Sequence, residues 1–511
     1  MPEAQGSTAV VILAAGQGTR MKSRRAKVLH ELCGRPMLAH VLDEARALSP
    51  SRLIVVVGRD ADQVRETFAG RAEFVLQAEQ RGTGHAVMQA QPELEGFDGD
   101  VLILYGDTPL LRSETFERMA RLKRDTGADL VMLTASGPIP GRVVRDQAGR
   151  VERVVEAQDA TPDELAIEER NTGVYLVGMP LLREGLAQLN DDNEQGELYI
   201  TDLVGYAVSQ GRCVEALLLE DADECLGINT REDLAGASAV MRRRIASRLM
   251  TEGVTLVDPS CTYIDAGVKV GADTLIEPGC VIVGDTVIGE GVHVKAGTYI
   301  ESSRLDDGVA IGPYSHLRPN CHLMDGAKIG NFVEIKNSNM GAGAKAAHLT
   351  YIGDADVGEA VNFGCGVVVV NYDGIAKHRT TVGDRAFIGC NVNLLAPVDL
   401  ARNTFMAAGS TIGRDVPEDA LAVARARQRN VEGWVARREG RAPAATRSSG
   451  SEGSEAKKRR KTTGDPVERT KAPRKKNAAK KTATSRPKRS KKKAAARKKA
   501  GASKKRAVKK G

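Results

Sequence analysis

A chain of 511 residues is long enough for two or three domains with cores of their own. Its 53 glycines and 4% aromatic content are typical of a turn-rich β architecture rather than an ordinary β-sandwich. The eight cysteines include no C-x-x-C pair, no apolar run approaches the roughly 20 residues of a membrane span, and the start is unlike a signal peptide. These features argue against a disulfide scaffold, a zinc site and a transmembrane protein, and we expect a soluble, cytoplasmic protein.

Residues 1–231 are predicted to form an α/β domain. The apolar runs TAVVILAAG, RLIVVVGRD and DVLILYGD end in Gly or Asp, as strands do where loops begin. The stretch PMLAHVLDEARAL, between the first two runs, has the period of an amphipathic helix. This alternation predicts a Rossmann-like, mainly parallel sheet with functional loops after the carboxyl ends of its strands.

The loop after the first strand, LAAGQGTRM, has the composition of an anion site. Gly16 and Gly18 allow backbone N–H groups to approach a phosphate, and Arg20 and Lys27 add positive charge. The G-K-[ST] of a Walker motif is missing. Asp107 ends a later strand in YGD, where it is suitably placed as a ligand for a hard cation.

Residues 232–252 are predicted to form a helical linker, and residues 253–440 a left-handed parallel β-helix of hexapeptide repeats. An aliphatic residue recurs at every sixth position, with one slip after Ile300. This period is too long for a helical stripe, and three hexapeptides make one coil of a β-helix. The positions are Ile264, Val270, Ile276, Ile282, Ile288, Val294, Ile300, Ile311, Leu317, Leu323, Ile329 and Ile335, and later Val382, Ile388, Leu394, Leu400, Met406 and Ile412.

The period fails around the stretch KAAHLTYIGD. We expect the small residues GAGAKAA to bulge out as a loop that makes room for His348. Histidine is suited to proton transfer at neutral pH because its unperturbed pKa is about 6.5.

The segment 441–511 differs from the rest of the chain in charge. It holds 28 Lys and Arg but 4 Asp and Glu, a net charge of +24, whereas the 440 residues before it carry −16. It contains no Leu, Ile or aromatic residue, so we expect it to be disordered. Non-specific contact with DNA, RNA or another polyanion, contact with the acidic body, and no partner at all remain open.

Several motifs occur in the order found in one enzyme family. LAAGQGTRMKSRRAKVLH resembles the signature of sugar-nucleotide pyrophosphorylases, and QAEQRGTGHA, LYGDTPLL, VVEAQDA, NTGVY, GELYITD and GINTREDL follow in that family's order. With the hexapeptide repeats behind them, residues 8–438 resemble the bacterial bifunctional N-acetylglucosamine-1-phosphate uridylyltransferase/glucosamine-1-phosphate N-acetyltransferases. The resemblance implies acetyl transfer from acetyl-CoA to glucosamine-1-phosphate, then Mg²⁺-dependent uridylyl transfer from UTP with release of pyrophosphate. The product, UDP-N-acetylglucosamine, would serve peptidoglycan and lipopolysaccharide synthesis.

For the uridylyl step, the resemblance implies that Asp107 and Asn229 bind Mg²⁺ and that Arg20 and Lys27 act in catalysis. Ile139 and Pro140 depart from the family pattern, which usually has an aromatic residue at this side of the glycine. The implied binding residues for the nucleotide and sugar are Leu13, Ala14, Ala15, Gly16, Lys27, Gln77, Gly82, Thr83, Tyr105, Gly106, Asp107, Gly141, Glu156, Asn171 and Asn229.

For the acetyl step, the resemblance implies that His348 is the general base. The implied ligands of the sugar phosphate are Arg318, Lys336, Tyr351 and Asn362. The implied acetyl-CoA residues are Cys365 (through its backbone N–H), Asn371, Tyr372, Cys390, Ala408 and Arg425. Cys365 and Cys390 stand where the family has alanine and serine. The resemblance further implies a homotrimer formed through the β-helix.

Two other functions remain open at this point. The chain could be a pyrophosphorylase whose β-helix is only an oligomerisation or regulatory platform. It could also be a nucleic-acid-binding protein that acts through its basic tail.

Overall fold

A computed structural model describes residues 7–137 and 139–441. Packing of the chain defines two units, Met1–Gln428 and Arg429–Gly511. The first unit contains an α/β region followed by a parallel β-helix. The predicted basic tail, apart from Arg441, lies outside the described residues.

The strands of the α/β region are β1 (Thr8–Ala14), β2 (Glu31–Leu32), β3 (Arg35–Pro36), β4 (Arg52–Val57), β5 (Glu73–Leu76), β6 (Asp100–Tyr105), β7 (Leu130–Ser136), β8 (Gly141–Arg145), β9 (Val151–Val155), β10 (Glu169–Gly178) and β11 (Val214–Leu218). The α-helices of the chain are α1 (Met37–Ala47), α2 (Ala61–Thr67), α3 (Thr83–Gln89), α4 (Ser113–Thr126), α5 (Pro162–Leu165), α6 (Met179–Leu186), α7 (Asp202–Ser209), α8 (Arg231–Thr251) and, in the second unit, α9 (Trp434–Arg438). Short 3₁₀ helices cover Thr19–Met21, Lys27–Leu29, Pro92–Leu94, Ala222–Cys225 and Pro259–Cys261.

The sheet of the α/β region is mainly parallel, as predicted. Its strand order is β11-β7-β10-β6-β1-β4-β5, and β10 runs antiparallel between β6 and β7. The antiparallel pair β8–β9 attaches to β10. Side chains of β1 alternate between two cores: Val10 and Ile12 pack in the core that includes α1 and α4, whereas Val11 packs in the core with α3, α6 and α7. Helices therefore cover both faces of the sheet.

Helix α8 joins the two regions. Its N-terminus is fixed by a capping box, in which Thr230 accepts a hydrogen bond from the Asp233 backbone and the Asp233 side chain accepts one from Thr230. Ala237 packs with residues of the α/β region. Ile245 and Leu249, further along, belong to the core of the β-helix. The helix thus packs on both regions.

The β-helix is built from short strands. They are β12 (Thr255–Leu256), β13 (Tyr263–Ile264), β14 (Lys269–Val270), β15 (Leu275–Ile276), β16 (Val281–Val283), β17 (Val287–Ile288), β18 (His293–Val294), β19 (Tyr299–Glu301), β20 (Arg304–Leu305), β21 (Ala310–Ile311), β22 (His316–Leu317), β23 (His322–Leu323), β24 (Lys328–Asn331), β25 (Glu334–Lys336), β26 (Asn339–Met340), β27 (Lys345–His348), β28 (Tyr351–Gly353), β29 (Ala355–Val357), β30 (Asn362–Phe363), β31 (Val368–Val370), β32 (Thr380–Val382), β33 (Phe387–Ile388), β34 (Asn393–Leu395), β35 (Val398–Leu400), β36 (Phe405–Met406), β37 (Thr411–Ile412) and β38 (Leu421–Ala422).

These strands form three parallel sheets, and each coil gives one strand to each sheet. Sheet I runs from β12 through β15 and β18 to β38, sheet II from β13 to β37, and sheet III from β14 to β35. The aliphatic residues predicted to point inward are buried in one continuous core, apart from Val270, which is partly buried at its edge. The fold is the left-handed parallel β-helix that the hexapeptide period predicts.

The prediction of a bulging loop before His348 is wrong. Lys345–His348 is strand β27 of sheet I, paired with β24 on one side and β30 on the other. The coils continue through Met340, Ala346, Ile352, Val357, Phe363 and Val369, all buried. The period is obscured because Ala and Phe also serve as inward residues, and because the steps to Met340 and Val357 are one residue shorter than the others.

The real departure from the coil lies at residues 371–379, between β31 and β32. We call this segment the excursion. It begins with Asn371, which is buried, and continues with Tyr372, which is 56% exposed. In the described part of the chain, no helix is both long enough and apolar enough to span a membrane.

Candidate functional site

A cleft of about 460 Å³ opens at the carboxyl end of β6 in the α/β region. It is bordered by the start of β8, by β10 and by the loop before α8. The sequence-predicted residues that line it are Thr83, Tyr105, Asp107, Gly141, Glu156, Asn171 and Asn229. Ile139 and Pro140, which depart from the family pattern, also line it.

Lys27 links the two predicted metal ligands. Its Nζ lies 2.5 Å from Oδ2 of Asp107 and 2.7 Å from Oδ1 of Asn229. Arg20 Nη2 donates to the same oxygen of Asn229 at 3.0 Å. Two cations and two oxygen ligands from distant parts of the sequence therefore meet at one edge of the cleft.

The loop after β1 brings Lys27 to this position. Gly18 has a φ of +60°, and a Cβ there would lie 2.6 Å from Cβ of Lys27. A side chain at position 18 would therefore displace Lys27. Nothing lies within 4 Å of a Cβ built at Gly16, which leaves the space beside this glycine open.

The other predicted nucleotide residues surround this loop. Ala14, Ala15, Gly16 and Lys27 line a smaller space at the end of β1. The Gly106 N–H donates to the Leu13 carbonyl at 2.9 Å, which ties the end of β6 to β1. Buried Gln77 donates to the carbonyl of Gly82 at 3.1 Å.

Acidic groups accumulate around Glu156, which lines the cleft. Burial raises the pKa of Glu156, and the nearby carboxylates of Asp159 and Asp202 add to the rise. Burial likewise raises the pKa of Asp202, and burial with the nearby Asp107 raises that of Tyr105. These groups are desolvated hydrogen-bonding partners, which suits a neutral, hydroxyl-rich ligand better than a phosphate.

In the β-helix, one corner carries several of the predicted acetyl-site residues. This is the corner between sheets I and II, and its ladder consists of Asn331, His348, Cys365, Cys390 and Ala408 in successive coils. Asn331 and His348 are register partners of β24 and β27. In the following coils, the Asn391 N–H donates to the Cys365 carbonyl and the Gly409 N–H to the Cys390 carbonyl, both at 2.8 Å. The predicted base and three predicted coenzyme positions therefore lie in one line.

His348 is exposed, and its Nδ1 lies 2.5 Å from Oδ1 of Asn331. With this oxygen as acceptor, Nδ1 carries the hydrogen and the lone pair is on Nε2. Thr350 Oγ1 also donates to the His348 carbonyl at 2.7 Å. The contact thus orients the ring through Nδ1, and in this tautomer the lone pair of Nε2 can accept a hydrogen.

A group of cations lies at the next corner, between sheets II and III. Lys377 of the excursion adjoins Lys336, and this contact, with burial and the nearby Arg318, lowers the pKa of Lys336. The hydroxyl of Tyr351 and the amide of Asn371 both approach Gly353. Asn371 also donates to Asp354 at 2.5 Å, which fixes its orientation. The nearby Asp354 opposes this lowering, and Arg318 pairs with Glu334 at 3.1 Å, but the net shift of the Lys336 pKa is still downward, as expected where cations predominate.

Of the remaining predicted acetyl-site residues, Asn362 and Tyr372 lie away from the corner ladder, whereas Arg425 contacts it. Asn362 belongs to sheet I, opposite Lys345 in the register. Tyr372 lies in the excursion, where its hydroxyl donates to the Gly374 carbonyl. Arg425 Nη1 donates to the Ala408 carbonyl at 2.7 Å. The predicted acetyl-site residues therefore lie on different sheets and corners of this chain.

Comparison with known proteins agrees with this two-part architecture. Residues 10–202 match the family model of the MobA-like NTP transferase domain, and residues 267–302 and 302–337 match that of the bacterial transferase hexapeptide (six repeats). The "Bifunctional protein GlmU" of Pelobacter propionicus is 48% identical over 450 residues, covering 84% of this chain and 98% of the relative. The protein of the same name from Latilactobacillus sakei is 46% identical over 446 residues, covering 84% and 96%.

The chain belongs to the GlmU family. Matches of this extent include both the α/β region and the β-helix, so the family assignment applies to both.

Sequence reasoning missed two residues of this GlmU-family chain that lie next to residues predicted for the acetyl site. Lys377 joins the cation group of Lys336 and Arg318, and Asn331 contacts the ring of His348. A signal for Lys377 was present, because it lies in the longest interruption of the hexapeptide period. Asn331 lies one coil before His348, a relation that becomes visible once the coil length is known.

Proposed function

We infer that this chain is a bifunctional transferase that makes UDP-N-acetylglucosamine. It transfers an acetyl group from acetyl-CoA to glucosamine-1-phosphate, and then a uridylyl group from UTP to N-acetylglucosamine-1-phosphate, releasing pyrophosphate. The observation that carries this inference is the match to two GlmU relatives over 98% and 96% of their length, through both regions. The product is a precursor for the bacterial cell wall.

For uridylyl transfer, the cleft at β6 binds the nucleotide and the sugar phosphate side by side. The sugar phosphate oxygen attacks the α-phosphorus of UTP, and pyrophosphate leaves. Arg20 and Lys27, at the cleft edge, neutralise phosphate charge. Glu156 and Asn171 lie at the other side, where they hydrogen-bond the sugar hydroxyls. Catalysis rests mainly on positioning and on charge neutralisation.

Mg²⁺ is the cation we propose for this site. The oxygens of Asp107 and Asn229 converge on one point, since both contact the same ammonium group. In the described ranges no cluster of three or more His, Cys, Asp or Glu could hold a metal. Mg²⁺ typically has few protein ligands and keeps waters and substrate phosphates, so it fits this donor set. When bound, it would supply further charge neutralisation at the triphosphate.

For acetyl transfer, His348 Nε2 accepts the proton of the sugar ammonium group. The free amine then attacks the thioester carbonyl, and coenzyme A leaves. Arg318, Lys336 and Lys377 bind the sugar phosphate, and their mutual repulsion is relieved by this anion. The backbone N–H of Cys365, one coil above His348, donates to the developing oxyanion.

We also propose that the chain acts as a homotrimer through the β-helix. Tyr314, Phe332 and Leu349, which we call the apolar strip, follow one another along the corner of His348 and are 59%, 56% and 57% exposed. All three have positive φ, an unfavourable conformation for large side chains. An exposed apolar strip in strained backbone fits a subunit interface that completes the dispersed acetyl site.

A coupled assay tests the bifunctional assignment. The full chain is supplied with glucosamine-1-phosphate, acetyl-CoA, UTP and Mg²⁺, while free coenzyme A and pyrophosphate are followed. We expect coenzyme A first and pyrophosphate after it. Pyrophosphate formation from N-acetylglucosamine-1-phosphate alone, without any release of coenzyme A, would support instead a pyrophosphorylase with a structural β-helix.

Sedimentation tests the trimer. Phe332→Asp, in the apolar strip, should dissociate the assembly and reduce acetyl transfer while uridylyl transfer persists. Phe405→Asp is the matched control, because Phe405 is also exposed and stacks on Phe387 at 4.6 Å on the outer face of sheet I. A monomeric wild-type chain with full acetyl transfer would contradict the proposal. Cytoplasmic location and polyanion binding by residues 441–511 stay predictions.

A further inference from the structure

Two cysteines are neighbours in the corner ladder of the β-helix. Phe363 and Ile388 are register partners, and the chain continues from each through one glycine to Cys365 and Cys390. Hydrogen bonds flank the pair on both sides, from the Gly364 N–H to Ile388 O and from the Asn391 N–H to Cys365 O. Cys365 therefore lies directly beside Cys390 in the next coil.

The turns that follow the two cysteines also have the same backbone conformation. Each cysteine is followed by a residue in the left-handed region, Gly366 with a φ of +74° and Asn391 with a φ of +56°. Side chains at equivalent positions of stacked coils point in the same direction. Neighbouring strands are about 4.8 Å apart, and Cα separations of about 4.4–6.8 Å allow a disulfide. The register thus places the two Cα atoms within the range of separations that a disulfide requires.

The pair differs from the other cysteines in accessibility. Cys390 is exposed and Cys365 is half-buried. Burial raises the pKa of Cys33 and of Cys225 to about 11, so few of these thiols are ionised at neutral pH. Cys280 and Cys321 are buried in the core. A thiol reagent in solution therefore meets Cys390 first within the β-helix.

We propose that Cys365 and Cys390 form a dithiol site that reacts with the disulfide of a low-molecular-weight thiol. The Cys390 thiolate attacks one sulfur of that disulfide, forms a mixed disulfide and releases one thiol. The Cys365 thiolate then attacks Cys390 Sγ, forms the Cys365–Cys390 bond and releases the second thiol. The protein loses two electrons and two hydrogens, and the reagent disulfide is reduced to two thiols.

This modification blocks acetyl transfer. The inhibition, unlike the chemistry, rests on the proposed function, in which acetyl-CoA lies along this corner and the Cys365 N–H faces the oxyanion. A Cys365–Cys390 bond draws the two coils together and replaces the free thiol beside the coenzyme. The cleft of the α/β region is a separate site, so uridylyl transfer continues.

The test exposes the full, reduced chain to coenzyme A disulfide and, separately, to glutathione disulfide. We expect a linked peptide pair containing Cys365 and Cys390, seen by mass spectrometry as the loss of two hydrogens. Acetyl transfer should fall by more than about tenfold, while uridylyl transfer is unchanged, and dithiothreitol should restore the loss.

Variants separate the steps, each compared with its own untreated form. Cys365→Ala should stop at the mixed disulfide on Cys390, and Cys390→Ser should form no link. Cys213→Ser, a change at an exposed cysteine of the α/β region, should behave as the wild type. Treated wild-type chain without the linked peptide, or with the link but unchanged acetyl transfer, would overturn the proposal. If the link forms but the reduced chain has no acetyl transfer, the proposed function fails and the dithiol chemistry stands.

Discussion

The two regions of this chain prepare their sites in different ways. The α/β region surrounds a cleft of about 460 Å³ with residues from one chain, and burial there shifts the pKa of Glu156 upward. The β-helix has its polar groups on outer corners, where His348 and Tyr372 are exposed. A cleft within one fold desolvates its own side chains, whereas a convex prism needs a second surface to do so. The first site should therefore be independent of assembly, and the second should depend on it.

The largest expected effect is a loss of acetyl transfer, the activity of the β-helix, without a change in uridylyl transfer. His348→Ala removes the proton acceptor, and we expect acetyl transfer to fall by about 10²–10⁴-fold, with uridylyl transfer unchanged. Both rates are measured on the same preparation. His293→Ala is the matched control, since His293 lies on the same sheet and contacts Glu277 rather than a ladder residue. Unaltered acetyl transfer in His348→Ala would remove the basis of the second site.

Asp107→Ala should have the opposite effect, with loss of uridylyl transfer and retention of acetyl transfer. Loss of this carboxylate removes one of the two oxygens that meet at Lys27, and we expect uridylyl transfer to fall by about 10³-fold. Acetyl transfer should persist. Pyrophosphate release is the measurement, with coenzyme A release as its internal control. If both activities disappeared in a folded variant, two separate sites would no longer be tenable.

A smaller effect tests how the ring of His348 is oriented. Asn331→Ala removes one hydrogen bond, worth about 1 kcal/mol, or roughly fivefold in acetyl transfer. Asn331→Asp is more informative, because a carboxylate beside Nδ1 stabilises the imidazolium that forms when the base accepts its proton. The base then becomes deprotonated only at higher pH, so the acidic limb of the rate profile should move upward. A limb that stays in place would contradict the proposed contact.

The smallest effect concerns charge within the cation group. Lys377→Ala should raise KM for glucosamine-1-phosphate by up to about fivefold, because exposed ion pairs contribute about 0.2–1 kcal/mol. The same change removes the main cause that lowers the pKa of Lys336. Lys336 would keep its proton to higher pH, so the alkaline loss of binding should begin later. Lys328→Ala, an exposed lysine of sheet I, should change neither quantity.

The sequence predicted the β-helix because each coil must bury side chains at fixed intervals. It did not predict the coils around Ala346 and Phe363, since a narrow core accepts small and large residues as well as aliphatic ones. The shortened steps before Met340 and Val357 were also missed, because corner length depends on turn conformation rather than on burial. The error at GAGAKAA followed from these two effects together.

The site residues could be named from motifs, but their distribution in space could not. The order of the motifs along the chain does not show that His348 and Cys390 lie at the same corner. It also does not show that Asn362 and Lys336 lie on different sheets. These relations depend on the cumulative length of the coils. Once the coil register is known, the corner or sheet of each residue follows from its position within the coil.

Helix α8 has a consequence for dividing the chain. It covers the first coil, where β12 pairs with a neighbour on one side only. A fragment starting at Arg231 would retain this lid and should remain dispersed in solution. A fragment starting at Thr255 would expose the unpaired backbone donors and acceptors of the first coil. We expect such fragments to associate end to end through these coils.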